Sequence, residues 1–169
     1  MKLISLLEKL EYTCLQGSTD QEVKNVVYDS RKVEEGSLFI CIRGAVVDGH
    51  KFVPDVVAKG AKVLIVEEAV EAPEDVTVIL VKDTRYAMAF ISAAYFGYPA
   101  EKLKTIGITG SKGKATTTYM VKSILENAGY KVGLISTVCN YIDDEAIPTE
   151  HTTPDPITCL LYTSPSPRD

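Results

Sequence analysis

Leucines at positions 3, 6, 7 and 10 recur at helical spacing, so the chain opens on an amphipathic helix over residues 3–10. Two segments rich in Val, Ile and Phe follow, VKNVVYDS (23–30) and SLFICIRG (37–44). Both read as strands, and Gly36 turns the chain between them. PDVVAKG (54–60) has Pro in its first turn and Gly at its end, the asymmetry of a short helix. KVLIVEE (62–68) and VTVILVKD (76–83) are two more strands, separated by the turn-forming EAPED. RYAMAFISAAYFG (85–97) is a long helix stopped by Gly97 and Pro99. Strands alternating with helices predict an α/β fold.

A second unit begins after Pro99, with a boundary near Tyr98–Lys102, giving domains 1–99 and 100–158. KTIGITG (104–110) reads as a strand ending in glycine, and GSKGK as a tight loop. ATTTYMVKSILENAG (115–129) is a helix carrying Met120, Val121, Ile124 and Leu125, and KVGLIST (131–137) is the next strand. This βαβ order predicts parallel pairing through a right-handed crossover. Residues 139–158, with Pro148, Pro154 and Pro156, read as irregular. One βαβ unit cannot cover both faces of a parallel sheet. The second domain is therefore expected to be the start of a larger parallel-sheet domain that continues beyond Thr158. The last eleven residues, CLLYTSPSPRD (159–169), have no apolar period and resemble a translated sequencing-library adapter. They are read as a non-native tail.

Composition narrows the function classes. Against 18 Lys+Arg stand 23 Asp+Glu, a net charge of −5. A nucleic-acid binder would show a basic footprint, so no nucleic-acid partner is expected, although local geometry can still bind an anion. No apolar run approaches the roughly 20 residues that span a bilayer. Glu8 and Glu11 interrupt the apolar start, which excludes a signal peptide. A cytoplasmic monomer without membrane contact is the expectation. Cys14, Cys41, Cys139 and Cys159 are widely spaced and form no C-x-x-C pair, so they read as buried or idle thiols.

Candidate chemistry concentrates in three segments. In G-I-T-G-S-K-G-K-A-T (107–116), Gly110 and Gly113 let the backbone turn and approach a phosphate closely. The loop N–H groups and the helix start would point at the anion, and Lys114 would reach the β- and γ-phosphates. The plain alternative is a glycine turn that starts a helix. In the second segment, Ser30 and Arg31 end a strand and offer a hydroxyl and a guanidinium to a diphosphate or uracil. Asp48-Gly49-His50 forms a turn that presents backbone donors and an imidazole; taken singly, each is a turn residue or an ion-pair partner. The third segment, HTTPDP (151–156), is otherwise an exposed Pro-rich loop.

The glycine spacing is G-x-x-G-x-x-G-K rather than G-x-x-x-x-G-K-[ST], and resembles the G-[ST]-x-G-K-[ST]-T loop of the Mur ligase family. The match covers Gly110, Ser111, Gly113, Lys114 and Thr116, with Lys112 between them. Ala115 departs from it, standing where the family has a hydroxyl that ligates Mg²⁺. The resemblance therefore implies weaker Mg-nucleotide binding, with water or the hydroxyl of Thr116 or Thr117 in its place. Asp29 to Phe52, DSRKVEEGSLFICIRGAVVDGHKF, resembles the family's N-terminal domain at nearly every fixed position, with Cys41 replacing an alanine. HTTPDP resembles the segment of the ligases that add the third amino acid.

That resemblance implies an ATP-dependent ligase of peptidoglycan precursor synthesis. It would add L-lysine or meso-diaminopimelate to UDP-MurNAc-L-Ala-D-Glu through an acyl-phosphate, with ATP and Mg²⁺ as cofactors. Lys114 would be catalytic, within an ATP loop of Gly110, Ser111, Lys112, Gly113, Lys114, Ala115 and Thr116. Ser30, Arg31, Asp48, Gly49, His50, His151, Thr152 and Thr153 would bind the UDP-muramyl substrate, and Thr116 would stand in as metal ligand. The 169 residues alone are expected to lack ligase activity. Two alternatives stay open: the family's final-dipeptide ligase, and a non-catalytic UDP-muramyl-peptide-binding module, which Ala115 favours.

Overall fold

Runs of Val, Leu and Ile too apolar to face water on either side form the interior strands of the first unit. The computed structural model describes residues 1–44, 47–142, 145–148 and 155–163. It divides into Met1–Tyr95 and Phe96–Asp169. In the first unit, β1 (Tyr12–Gln16), β2 (Asn25–Val27), β3 (Ser37–Ile40), β4 (Val63–Val66) and β5 (Thr77–Val81) build one sheet in the order β1-β5-β4-β3-β2. β2, β3, β4 and β5 are parallel, and β1 closes one edge antiparallel to β5.

Every residue of β3 and β4 is buried. A strand buried on both faces needs a cover on each. On one face Phe39, Cys41, Leu64, Val66, Val76 and Val78 pack with Val53 and Val56 of α2 (Val53–Ala58). The alternate positions Leu38, Ile40, Val63, Ile65 and Ile79 point to the other face. That leaves α1 (Leu3–Leu6) and α3 (Thr84–Tyr95), which pack on each other, to cover it with Leu3, Leu6, Ala87 and Ile91 buried. The opening helix is one turn rather than residues 3–10, because Leu3, Leu6 and Leu7 already bury its apolar face. β1 has no counterpart in the sequence reading. Its residues Tyr12 to Leu15 are exposed, so no burial pattern marks it, and backbone pairing with β5 alone defines it.

The second unit departs further from expectation. α4 (Lys114–Asn127) forms as read. Residues 104–110 pair with no strand among the described residues. The following strand shrinks to β6 (Gly133–Leu134) and pairs antiparallel with β7 (Cys139–Ile142). The expected parallel pairing of 104–110 with 131–137 is therefore not made: 104–110 forms no ladder among the described residues, and the two-residue β6 pairs on one side with β7. Residues 139–148, read as irregular, form a hairpin of β7 with β8 (Glu145–Pro148). α5 (Pro156–Thr163) follows and runs across residue 158. α4 has no buried residue, and Ile106, Met120 and Ile124 are each at least 60% exposed. Among the described residues no helix is long and apolar enough to cross a membrane.

The two units should therefore respond differently to truncation of an apolar side chain. Leu64→Ala empties a fully buried site and should cost about 2–5 kcal/mol in urea unfolding followed by circular dichroism. Ile124→Ala, on the open face of α4, should stay within about 0.5 kcal/mol.

Candidate functional site

Because β2, β3, β4 and β5 are parallel, the segments that follow them leave from one edge of the sheet. In open α/β sheets, the carboxyl edge is where ligands bind. That edge receives Asp29-Ser30-Arg31 after β2, Arg43 and Asp48-Gly49-His50 after β3, Glu67-Glu68 after β4 and Asp83-Thr84 after β5. Two of the sequence-predicted segments, the D-S-R and the D-G-H, thus reach the same edge.

The D-S-R spacing builds a rigid fork. Asp29 Oδ1 accepts the Arg31 backbone N–H at 2.9 Å, closing a short turn. The Arg31 guanidinium then donates Nε–H to Asp29 Oδ1 at 3.0 Å and a terminal N–H to Oδ2 at 2.7 Å. These hydrogen bonds hold the Asp29 carboxyl down at about 2. Arg31 remains 86% exposed at its side chain, a fixed positive group facing solvent. Ser30 between them is half-buried, and its carbonyl accepts Lys59 Nζ at 2.7 Å from the end of α2.

The D-G-H segment is a 3-10 turn, Gly49–Phe52, capped by Asp48. Asp48 Oδ1 accepts the His50 backbone N–H at 3.0 Å and meets His50 Nδ1 at 2.6 Å. Those bonds, the backbone one first, draw the Asp48 carboxyl below its ordinary range. At the opposite ring position, the Glu67 backbone N–H donates to His50 Nε2 at 3.0 Å. Nε2 is therefore the acceptor, which puts the proton on Nδ1, facing Asp48. The ring is buried, and both nitrogens are engaged within the protein. Gly49 is required by close approach: a Cβ there would lie 2.7 Å from Ile42 N and 2.8 Å from Ile42 O.

Arg43, Glu67 and Glu68 complete this edge and were not singled out in the sequence. Arg43 Nε lies 3.4 Å from Asp48 Oδ2, and its terminal N–H donates to Glu68 Oε2 at 2.9 Å. Asp48, His50 and Glu68 bring three ligand-type atoms within 4.8 Å of one another, spacing that could hold a metal ion. The Arg43 guanidinium already supplies the positive charge across both carboxylates, and the imidazole has no free lone pair. Glu67 Oε1 accepts the Thr84 N–H at 2.8 Å and its hydroxyl at 2.7 Å, at the start of α3. The sequence signal for these residues was slight: an acidic pair closing a strand and an arginine closing another.

The glycine loop lies in the second unit. Gly113 adopts a left-handed conformation (φ 76°) as the residue before α4, and no side chain caps the helix. The first turn carries no acid, so its N–H groups and the positive end of the helix dipole are left for an anion. Lys114 Nζ folds back to donate to the Gly110 carbonyl at 2.7 Å, bringing the ammonium onto the loop. Ser111, Lys112 and Thr116 are exposed, and Ala115 is half-buried. The Thr117 hydroxyl donates to Gly113 O at 2.9 Å and that of Thr118 to Ala115 O at 2.7 Å, both within the helix. His151, Thr152 and Thr153 lie outside the described residues.

Comparison with known proteins agrees with this layout. The Mur ligase family catalytic-domain profile matches residues 22–96, and the Mur ligase middle-domain profile matches residues 108–166. The chain belongs to the Mur ligase family. Among its curated relatives, the UDP-N-acetylmuramoyl-L-alanyl-D-glutamate–2,6-diaminopimelate ligase of Clostridium perfringens is 50% identical over 155 residues. That alignment covers 92% of this chain and 32% of the relative. The chain thus spans about a third of the length of the curated Mur ligases it matches. A solved ligase of the same name superposes with a TM-score of 0.73 at 22% identity, over 97% of this chain and 33% of that one. MurF from Acinetobacter baumannii superposes with a TM-score of 0.61 at 35% identity, over 75% of this chain and 27% of that one.

The Asp29 fork carries a pH signature. Its carboxyl is depressed in the folded chain, so its stabilisation is present above the ordinary carboxylate value of 3.8 and disappears as pH falls through about 2. Asp29→Asn should therefore lower the melting temperature at pH 6 and leave a smaller loss between pH 4 and pH 2 than the parent chain shows. Gly49→Ala, which forces a Cβ onto the Ile42 backbone, should destabilise the first unit by about 1–3 kcal/mol in urea unfolding.

Proposed function

We propose that the protein is an ATP-dependent ligase that joins 2,6-diaminopimelate to UDP-N-acetylmuramoyl-L-alanyl-D-glutamate. The observation that carries this reading is the uncapped, acid-free start of α4 beneath the Gly110–Lys114 loop, a cradle for the phosphates of ATP. The relatives' names supply the acceptor and the amino acid. The first unit would hold the uridine diphosphate end on the carboxyl edge of its sheet, with Ser30 and the exposed Arg31 as donors. His151, Thr152 and Thr153 would hold the muramyl-dipeptide end.

In this reaction the D-Glu side-chain carboxylate attacks the γ-phosphorus of ATP, and ADP leaves. The amine of diaminopimelate then attacks the resulting acyl-phosphate; a C–N bond forms, inorganic phosphate departs and the amine loses a proton. Such transfer depends on positioning and on neutralising charge. Lys114 would release Gly110 O and turn to the γ-phosphate. Of the first-turn residues, Ala115 has no side-chain oxygen, and Thr117 turns its hydroxyl into the helix. The exposed Thr116 hydroxyl would serve Mg²⁺, together with water. Bound there, the ion would neutralise phosphate charge. A cytoplasmic location follows from a nucleotide-linked substrate.

The likeness to MurF supports a second reading, a ligase acting on the tripeptide precursor. Calorimetry of this chain with UDP-MurNAc-dipeptide and UDP-MurNAc-tripeptide separates the two: tighter binding of the dipeptide is expected, and preference for the tripeptide would overturn the first reading. Lys114→Ala should weaken ATP binding about 10- to 100-fold, the effect of one charge-assisted hydrogen bond. Ala115→Thr should tighten Mg-ATP binding and make it more sensitive to EDTA; unchanged affinity would show that position 115 has no part in holding the metal.

A further inference from the structure

His50 belongs to the segment assigned to substrate, yet its geometry describes a fastening. Its ring is 5% exposed. One nitrogen faces the carboxylate that caps its own turn, and the other accepts a backbone N–H from the end of β4. Glu67, which gives that N–H, is gripped at its other end by Thr84 at the start of α3. The ring therefore ties three structures together: the Asp48–Phe52 turn, β4 and, through Glu67, α3. We infer that His50 is a positioning residue whose neutral, Nδ1-protonated ring latches this turn to the end of β4, and that a second proton opens the latch.

The reason is the direction of one hydrogen bond. A proton gained at Nε2 would face the Glu67 N–H across 3.0 Å, donor against donor. That backbone N–H cannot reverse its role, so the contact must break. The charged surroundings are mixed. Asp48 on the same turn and Glu68 at the end of β4 set carboxylate oxygens within 4.8 Å of a ring nitrogen. Arg43 lies beside Asp48, and Arg85 of α3 bonds Arg43 O at 3.5 Å. Lys51 and Glu71 line the same cleft. Cys41, at the end of β3, stays neutral because burial pushes its thiol up to about 12. Opening parts the turn from the end of β4, while Nδ1–H stays on Asp48.

Nuclear magnetic resonance of the whole 169-residue chain tests this directly. At pH 8 the His50 ring should carry its proton on Nδ1, and the Glu67 amide should be protected from hydrogen exchange. As the ring takes its second proton, followed in its own nitrogen resonances, the Glu67 protection factor should drop about tenfold. His50→Gln keeps an acceptor for the Glu67 N–H and does not titrate, so its protection should stay level; His50→Ala should lack the protection at every pH. A proton on Nε2 at pH 8, a Glu67 protection factor indifferent to ring protonation, or a ring that stays neutral until the chain unfolds would each overturn the latch.

Discussion

Four strands lying parallel and in register set where chemistry can occur in the first unit. Their carboxyl ends fall on one edge, so every segment that follows them is delivered to the same place. The arrangement holds because β3 and β4 are apolar at each position and must be covered on both faces. Asp29 to Arg31, Arg43 with Asp48 to His50, Glu67 and Thr84 come from four separate stretches of sequence. Sheet pairing alone makes them neighbours along one rim.

On that rim, most polar groups hold one another. Asp29 fixes Arg31, Arg43 spans Asp48 and Glu68, and His50 joins Asp48 to Glu67. A rim stiffened in this way presents a few groups outward, with the exposed guanidinium of Arg31 foremost. The same bonding explains the spacing of the motif residues. Arginine two positions after aspartate closes a turn and a fork together. Glycine between aspartate and histidine lets the turn lie against Ile42, where a side chain would collide.

The second unit obeys a different constraint. Its helix and loop form locally, since Gly113 needs no partner to turn left-handed and the residues after it favour helix. Its sheet is confined to β6, β7 and β8. With α4 unburied and 104–110 unpaired among the described residues, Ile106, Met120 and Ile124 stay exposed, while Val121 and Leu125 are half-buried. The phosphate loop is thus a feature of local backbone conformation.

The sequence by itself determined the interior strands, the long helices and the glycine loop. Each is written in local terms: runs of Val, Ile and Leu, apolar residues at helical spacing, glycines where the backbone must turn. It also carried the family, through residues 29–52 and 107–116. Tertiary structure alone decided the rest. β1 is exposed and leaves no burial pattern, so its pairing with β5 is a long-range backbone event. β6 pairs antiparallel with β7, a choice of partner that periodicity cannot read. His50 is enclosed because its second nitrogen meets an N–H seventeen residues away, a partner that no local pattern marks. A residue's type fixes which bonds it can make; the fold fixes which partners come within 3 Å, and for buried polar groups that second condition settles the role.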